Sequence, residues 1–237
     1  GWDIKGLIRL IVTSSTYRQN SASTGTLNQI DPDNALLARG PRYRMSAEMI
    51  RDSALSISGL LVGKIGGPSV KPYQPAGLWK EMVNASYEQD HGDNLYRRTL
   101  YTFWKRSVPP PNLLIIDAPT REVCTVRRQR TNTPLAALVL MNDPTFLEAA
   151  RHFAERILVQ GGPDVTDQIA FAFDRALARP PSTQELQILK NLFQRRRLFY
   201  LAHPEQAASL VSVGESKRNN NISSVLHAAW TTVASVI

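Results

Sequence analysis

Cysteine is almost missing from this chain. Cys124 stands alone among 237 residues, so no intrachain disulfide can form and cysteine usage says nothing about the redox compartment. Histidine is equally sparse. His91, His152, His203 and His227 are scattered without the spacing of a zinc site. No apolar run reaches the ~18 residues of a membrane-spanning helix. A secretory leader pattern is absent, and the chain opens directly into an amphipathic pattern. Internal repeats are missing, as is the alternation of strands and helices that builds a parallel sheet. Lysine is scarce beside arginine, 7 against 21, which shifts the basic charge toward the side chain preferred in buried ion pairs and bidentate anion contacts.

What is present describes a folded, mainly α-helical domain with long ordered loops rich in glycine and proline. Apolar residues make up 43% of the chain and charged residues 20%, enough apolar content to exclude wholesale disorder. At this length one domain can bury a sizeable core, and we expect a single domain over 1–237 with a subdivision near 161–163. Trp2 starts inside a pattern and the last apolar helix runs to Ile237, so the chain reads as a fragment of a longer protein. The net charge of +8 favours acidic partners.

Helix starts are written locally. Asp3 precedes Ile4, Leu7, Ile8 and Ile11 at helical spacing, and Ser46 opens a helix running to Gly63. Thr133-Pro134 and Asp143-Pro144 each place proline at a first helical position, giving helices over 134–142 and 144–159. Ser182 and Glu185 form a capping box for a helix to about Leu201. Further helices are expected over 164–178, 204–213 and 222–237. Residues 20–33 read as a loop, 34–38 as a helical turn, 66–77 as an extended Gly/Pro loop and 112–132 as irregular. Tyr96, Leu100, Phe103 and Trp104 share a helical face.

Chemistry concentrates between Asn94 and Arg156. Arg121, Glu122, Arg127, Arg128, Arg130 and Asn132 lie on the irregular stretch and form the candidate anion site, because guanidinium forks bind sulfate, carboxylate or phosphate bidentately. The alternative is an architectural lock, with these arginines paired to Asp117, Glu122, Asp143 and Glu148. Cys124 between Arg121 and Arg127 is either a reactive thiol with a stabilised thiolate or a small buried residue. No metal site is assigned: the oxygen and imidazole donors of residues 88–93 match no EF-hand spacing. The carboxylate pair of a glycoside hydrolase is defined by a separation in space and is not located by the sequence; Glu122 with Asp90 or Asp93 is one conceivable pairing. Tyr96, Tyr101, Phe103 and Trp104 either pack in the core or stack on sugars or bases. Arg195, Arg196 and Arg197 suit the C-terminal end of a helix dipole. No nucleic-acid-binding motif accompanies the positive charge.

The run from Tyr96-Arg97-Arg98 through Phe103-Trp104-Lys105-Arg106 and Val108-Pro109-Pro110-Pro111, followed by Asp117-Ala118-Pro119, Arg121-Glu122, Cys124, Arg127-Arg128, Arg130-Thr131-Asn132-Thr133-Pro134-Leu135 and Asn142-Asp143-Pro144-Thr145-Phe146, is distinctive. Together with Gly1-Trp2, Tyr17-Arg18-Gln19, Ile50-Arg51-Asp52 and Gly66-Gly67-Pro68, it resembles a bacterial family. That family is the C-terminal domain of unknown function in planctomycete-type, cytochrome c-associated surface proteins. The resemblance implies an exported protein, periplasmic or at the cell surface, whose partners include other domains of the same parent. It carries over no catalytic residue. The Cys-x-x-Cys-His haem attachment pattern is absent here, so this chain is expected to hold no cofactor, and any haem c would sit in an upstream domain. The functions to weigh are a non-catalytic scaffold or interaction module, an enzyme or binder acting on anionic polysaccharide (sulfated or uronic acid), and nucleic-acid binding.

Overall fold

Helix boundaries follow the capping residues. The computed structural model describes residues 1–237 and contains eleven α-helices, α1 to α11. They are α1 Ile4–Thr13, α2 Gly25–Ile30, α3 Ala47–Ser58, α4 Leu78–Val83, α5 Pro111–Ile115, α6 Pro134–Asn142, α7 Pro144–Gln160, α8 Val165–Leu177, α9 Thr183–Ala202, α10 Pro204–Val211 and α11 Ser224–Ala234. Helix accounts for 53% of the chain, and extended pairing is limited to three isolated bridges, so the class is mainly α. No helix is long and apolar enough to cross a membrane.

Side-chain caps hold the starts. Asp3 accepts from Gly6 N, Ser46 from Met49 N, Thr133 from Ala136 N and Asp143 from Thr145 N, each satisfying an orphan amide of a first turn. Ser182 and Glu185 form the reciprocal capping box of α9. The Glu185 carboxyl is pulled down to about 2 by the Arg179 guanidinium and the Ser182 bonds.

Five sequence expectations are corrected. Residues 25–30 form a helix, because Thr24 caps it by accepting from Leu27 N. Residues 34–38 turn instead of coiling, with Asn34 and Leu37 both left-handed. Helix α3 stops at Ser58, where Gly59 takes a φ of 86° that a side chain would resist. The aromatic run is no α-helix: it makes 3₁₀ turns at Gly92–Tyr96 and Thr99–Tyr101 and bridges Arg97 to Val62 and Thr102 to Val70. Conversely, Pro111 at the first position starts the short α5 within the stretch read as irregular.

The chain divides into two units, Gly1–Met45 and Ser46–Ile237. In the first, α1 buries none of its residues. A turn after α2 is organised by Asp31, whose carboxylate accepts from the Ala35 and Leu36 amides while Arg39 donates to the Asp31 and Pro32 carbonyls.

The second unit is built around α7 and α11. Ala154, Ile157, Ile169, Ala172, Ala207, Ala228, Ala229, Trp230 and Val233 are completely buried and join α7, α8, α10 and α11 in one core. Leu189, Phe193 and Tyr200 add α9. Helices on both sides of residues 161–163 contribute to it. Burial at this scale is worth roughly 1.5–3 kcal/mol per large apolar side chain. A second cluster joins Ala47, Leu113, Ile116, Ala118, Ala136 and Phe146, where α3, α5, α6 and the start of α7 meet. A third packs Leu55 against Leu95 and Tyr96.

Candidate functional site

The arginine-rich segment is a closed loop. The Asp117 carboxylate accepts from the Thr131 amide at 2.7 Å and from the Thr131 hydroxyl at 2.8 Å, so residues 117–131 leave and re-enter the fold at one point. Asp117 and Arg121 both take left-handed backbone, which turns the chain outward. Both feet stand on the second cluster: Ile116 precedes the loop, Ala118 is its second residue, and Ala136 follows it on α6.

Every residue from 121 to 130 is exposed. The Arg121 guanidinium lies over the Trp104 ring, 4.4 Å from its centroid, and the Trp104 indole donates to the Thr120 carbonyl. Arg128 donates to Glu48 Oε2 at 2.6 Å, tying the loop to the first turn of α3. Burial alone would raise the Glu48 carboxyl, but its own backbone amide and Arg128 hold it below the usual range. Arg127 and Asn132 are exposed, and Arg130 is engaged within the fold. Glu122 lines an open groove of about 550 Å³ with Lys105, Arg106 and Ser107.

Three of the acids expected in the arginine lock have partners outside the 121–130 arginines. Asp117 serves Thr131, Asp143 caps α7 and accepts from Asn112, and Glu148 is buried elsewhere. Arg128 is held by Glu48, which lies outside the expected set of partners. The Cys124 thiol is free and exposed, which overturns the buried alternative for it. Of the aromatics, Tyr96 is buried, Phe103 sits 6.0 Å from Trp79, and Trp104 packs on the second cluster; these three are structural. Tyr101 supports Arg97 at 3.9 Å, and its hydroxyl accepts from Gly66 N. The groove residues Lys105, Arg106 and Ser107 were missed in the sequence, although they follow the aromatic run directly.

The buried polar chemistry lies elsewhere, around Glu148. Its two oxygens accept from Tyr96 OH at 2.8 Å, Tyr73 OH at 3.0 Å and Ser216 N at 2.6 Å. Arg151, one turn on, is 1% exposed and lies 3.7 Å from Glu148 and 3.4 Å from Glu155. It also donates to the Ser216 carbonyl at 2.7 Å. His227, completely buried, meets the Arg151 carbonyl through Nε2 at 2.9 Å. Toward the surface, the Tyr73 hydroxyl accepts from Glu215 N, and Glu215 accepts from His91 Nδ1 at 2.6 Å, from Gln89 and from Gly92 N. Burial would raise the Glu215 carboxyl, but the His91 and Gly92 bonds keep it low. Nearly every oxygen and hydroxyl here has a partner inside the protein, so the cluster works as a clasp between α7, residue 73, residue 96 and the 214–216 turn. Among these residues no group of three or more His, Cys, Asp or Glu side chains is placed to hold a metal ion.

The clasp carries a pH signature. Burial first, then the Glu148 carboxylate to which they donate, pushes the Tyr73 and Tyr96 phenols above the ordinary 10.0. The fold therefore favours the neutral phenols. Above about pH 10 the unfolded chain ionises these two phenols while the folded chain keeps them neutral. Stability is fully present below that pH and falls above it. Urea midpoints measured across this window are expected to drop steeply for the wild type, and with a shallower slope for a Tyr73→Phe/Tyr96→Phe variant. Equal slopes would remove the phenols from the clasp.

Residues 1–193 match the family PSD1, described as "Protein of unknown function (DUF1553)". The chain belongs to that family. The matched span of PSD1 includes the whole 117–131 loop and its groove, together with Tyr73, Tyr96, Glu148 and Arg151. Glu215, Ser216 and His227 lie beyond it. No curated protein and no solved structure matches the chain.

Proposed function

We propose that this PSD1 domain is a non-catalytic interaction module of an exported, cytochrome c-linked surface protein of the planctomycete type, holding an anionic partner through the 117–131 loop. The observation that carries this is the division of the arginines. Arg51, Arg97 and Arg151 are spent inside the fold, whereas Arg121, Arg127 and Arg128 stand exposed on a loop pinned at its feet. Of the nearby acids, Asp117, Glu48 and Asp143 are engaged by Thr131, Arg128 and a helix cap, and Glu122 shares the groove with Lys105 and Arg106, so cations outnumber acids on the loop and its groove. Export, the periplasmic or surface location and the link to a haem c domain upstream rest on the motif resemblance alone. Other domains of the same parent are the first partners to consider.

A second reading is supported by the open groove beside Glu122. Planar guanidinium forks on a fixed loop suit the sulfate and uronate groups of an anionic polysaccharide. Binding to dextran sulfate, measured by calorimetry, tests the loop in either case. The double variant Arg121→Ala/Arg127→Ala is expected to bind about tenfold more weakly at low salt, with the difference shrinking as salt screens the exposed charges. Unchanged affinity in the variant would remove the loop from function. Equal binding of duplex DNA, with the same loop dependence, would favour nucleic acid instead.

A further inference from the structure

We propose that the 117–131 loop and the outer face of α6 form one docking surface for an acidic amphipathic helix of a protein partner; this rests on the interaction-module reading above. Helix α6, PLAALVLMN, is apolar on nearly every side. Its inner side gives Ala136, Val139 and Leu140 to the second cluster. Its outer side leaves Leu135, Leu138 and Met141 exposed at 53%, 55% and 57%. These three follow one another every three residues and make a ridge about 9 Å long at 1.5 Å per residue. The loop closes at Thr131, four residues before the ridge begins. On that loop Val123 is 74% exposed and Val126 fully exposed, interleaved with Arg121 and Arg127.

Charge and apolarity together select the partner. The cations call for carboxylates, which guanidinium groups bind as planar forks. The aliphatic residues call for aliphatic contact, which a sulfated glycan does not supply. A narrow ridge at helical spacing fits the groove of a second helix, packed ridge into groove. A helix with glutamates on one flank and leucines on its face meets both demands, in the helix-in-groove mode of recognition.

The test uses four probes on the whole chain. The first is a synthetic peptide of about 18 residues, long enough to hold a helix, with leucines on one face and glutamates on the other. The second has every leucine replaced by glutamine. Dextran sulfate and phosphatidylglycerol vesicles complete the set. Tighter binding of the first peptide than the second is expected, by about tenfold for the apolar contact. Leu138→Gln/Met141→Gln should abolish that preference while leaving dextran sulfate binding unchanged. Both side chains are more than half exposed, so the variant is expected to keep its circular dichroism; Leu138→Gln alone serves if it does not.

Equal binding of both peptides, lost only on loop substitution, overturns the helix partner and leaves the interaction module standing. Absence of any loop-dependent binding overturns both. Vesicle binding that depends on Leu138 and Met141, without peptide binding, overturns the inference in favour of a lipid surface. Self-association that depends on the same residues, again without peptide binding, overturns it in favour of a second copy.

Discussion

Glu148→Ala is expected to destabilise the Ser46–Ile237 unit by about 3–5 kcal/mol, the range for removing one partner of a buried, hydrogen-bonded ion pair. Glu148 is 1% exposed and is the only acceptor shared by Tyr73, Tyr96 and the Ser216 amide. Alanine strands the buried Tyr96 hydroxyl and two half-buried donors, Tyr73 OH and Ser216 N, and leaves Arg151 with Glu155 as its remaining carboxylate. It also frees the 214–216 turn, whose Gly214 sits so close that any Cβ there would overlap the Glu148 carboxyl. Urea unfolding followed by circular dichroism measures the loss. Glu148→Gln, which keeps the acceptor oxygen, should lose less. A loss under 1 kcal/mol for alanine would mean that the clasp does not bear on stability.

Arg51→Leu is expected to cost about 3 kcal/mol, the sum of buried acceptors left unpaired at 1–3 kcal/mol each. The Arg51 guanidinium, 1% exposed, donates to the Leu95 carbonyl at 2.7 Å, the Arg97 carbonyl at 2.9 Å and the Thr99 hydroxyl at 3.2 Å. It thereby fastens α3 to the irregular 95–99 segment. Arg97 continues the chain of staples, donating to the Lys64 carbonyl and to the Gly66 and Pro68 carbonyls of the Gly/Pro loop. Leucine fills the space without donors. Hydrogen exchange should localise the effect, with amides of 62–70 and 95–103 losing protection before those of α7 and α11. Uniform loss across the unit would contradict the staple role.

The helices were legible where their determinants are local. Asp3, Ser46, Thr133-Pro134, Asp143-Pro144 and the Ser182–Glu185 box each act within three residues, and each cap stands where its sequence places it. The aromatic run was misread because Tyr96, Leu100, Phe103 and Trp104 satisfy a helical period by composition alone. Long-range bonds decide otherwise: Arg51 claims the Leu95 and Arg97 carbonyls, and Val62 and Val70 draw the run into extended bridges.

The candidate site was legible as a segment but not as a surface. The cluster of arginines between 121 and 130 stands out in any reading of the chain, and it does lie on one loop. Which arginines are buried is not a local property. Arg51, Arg97 and Arg151 look no different from Arg127 in sequence, and their burial is set by carbonyl partners about 30 to 65 residues away. The same holds for Glu148, whose partners arrive from residues 73, 96 and 216. The exposure of Cys124, left open by its sequence, is set by long-range contacts as well. Free cysteine is usually buried, but this one sits in a loop whose closure at Asp117 and Thr131 carries it out of the core.

Arginine footprinting tests the central claim most directly. Native protein treated briefly with phenylglyoxal and mapped by mass spectrometry should be modified at Arg121 and Arg127, and spared at Arg51, Arg97 and Arg151. Adding dextran sulfate should protect the loop arginines more than Arg195, Arg196 and Arg197, which are exposed on α9 and report general attraction to a polyanion. Rapid modification of Arg51, Arg97 or Arg151 would contradict the division between structural and ligand-facing arginines. Protection confined to α9 would show that the loop is not where the anionic partner binds.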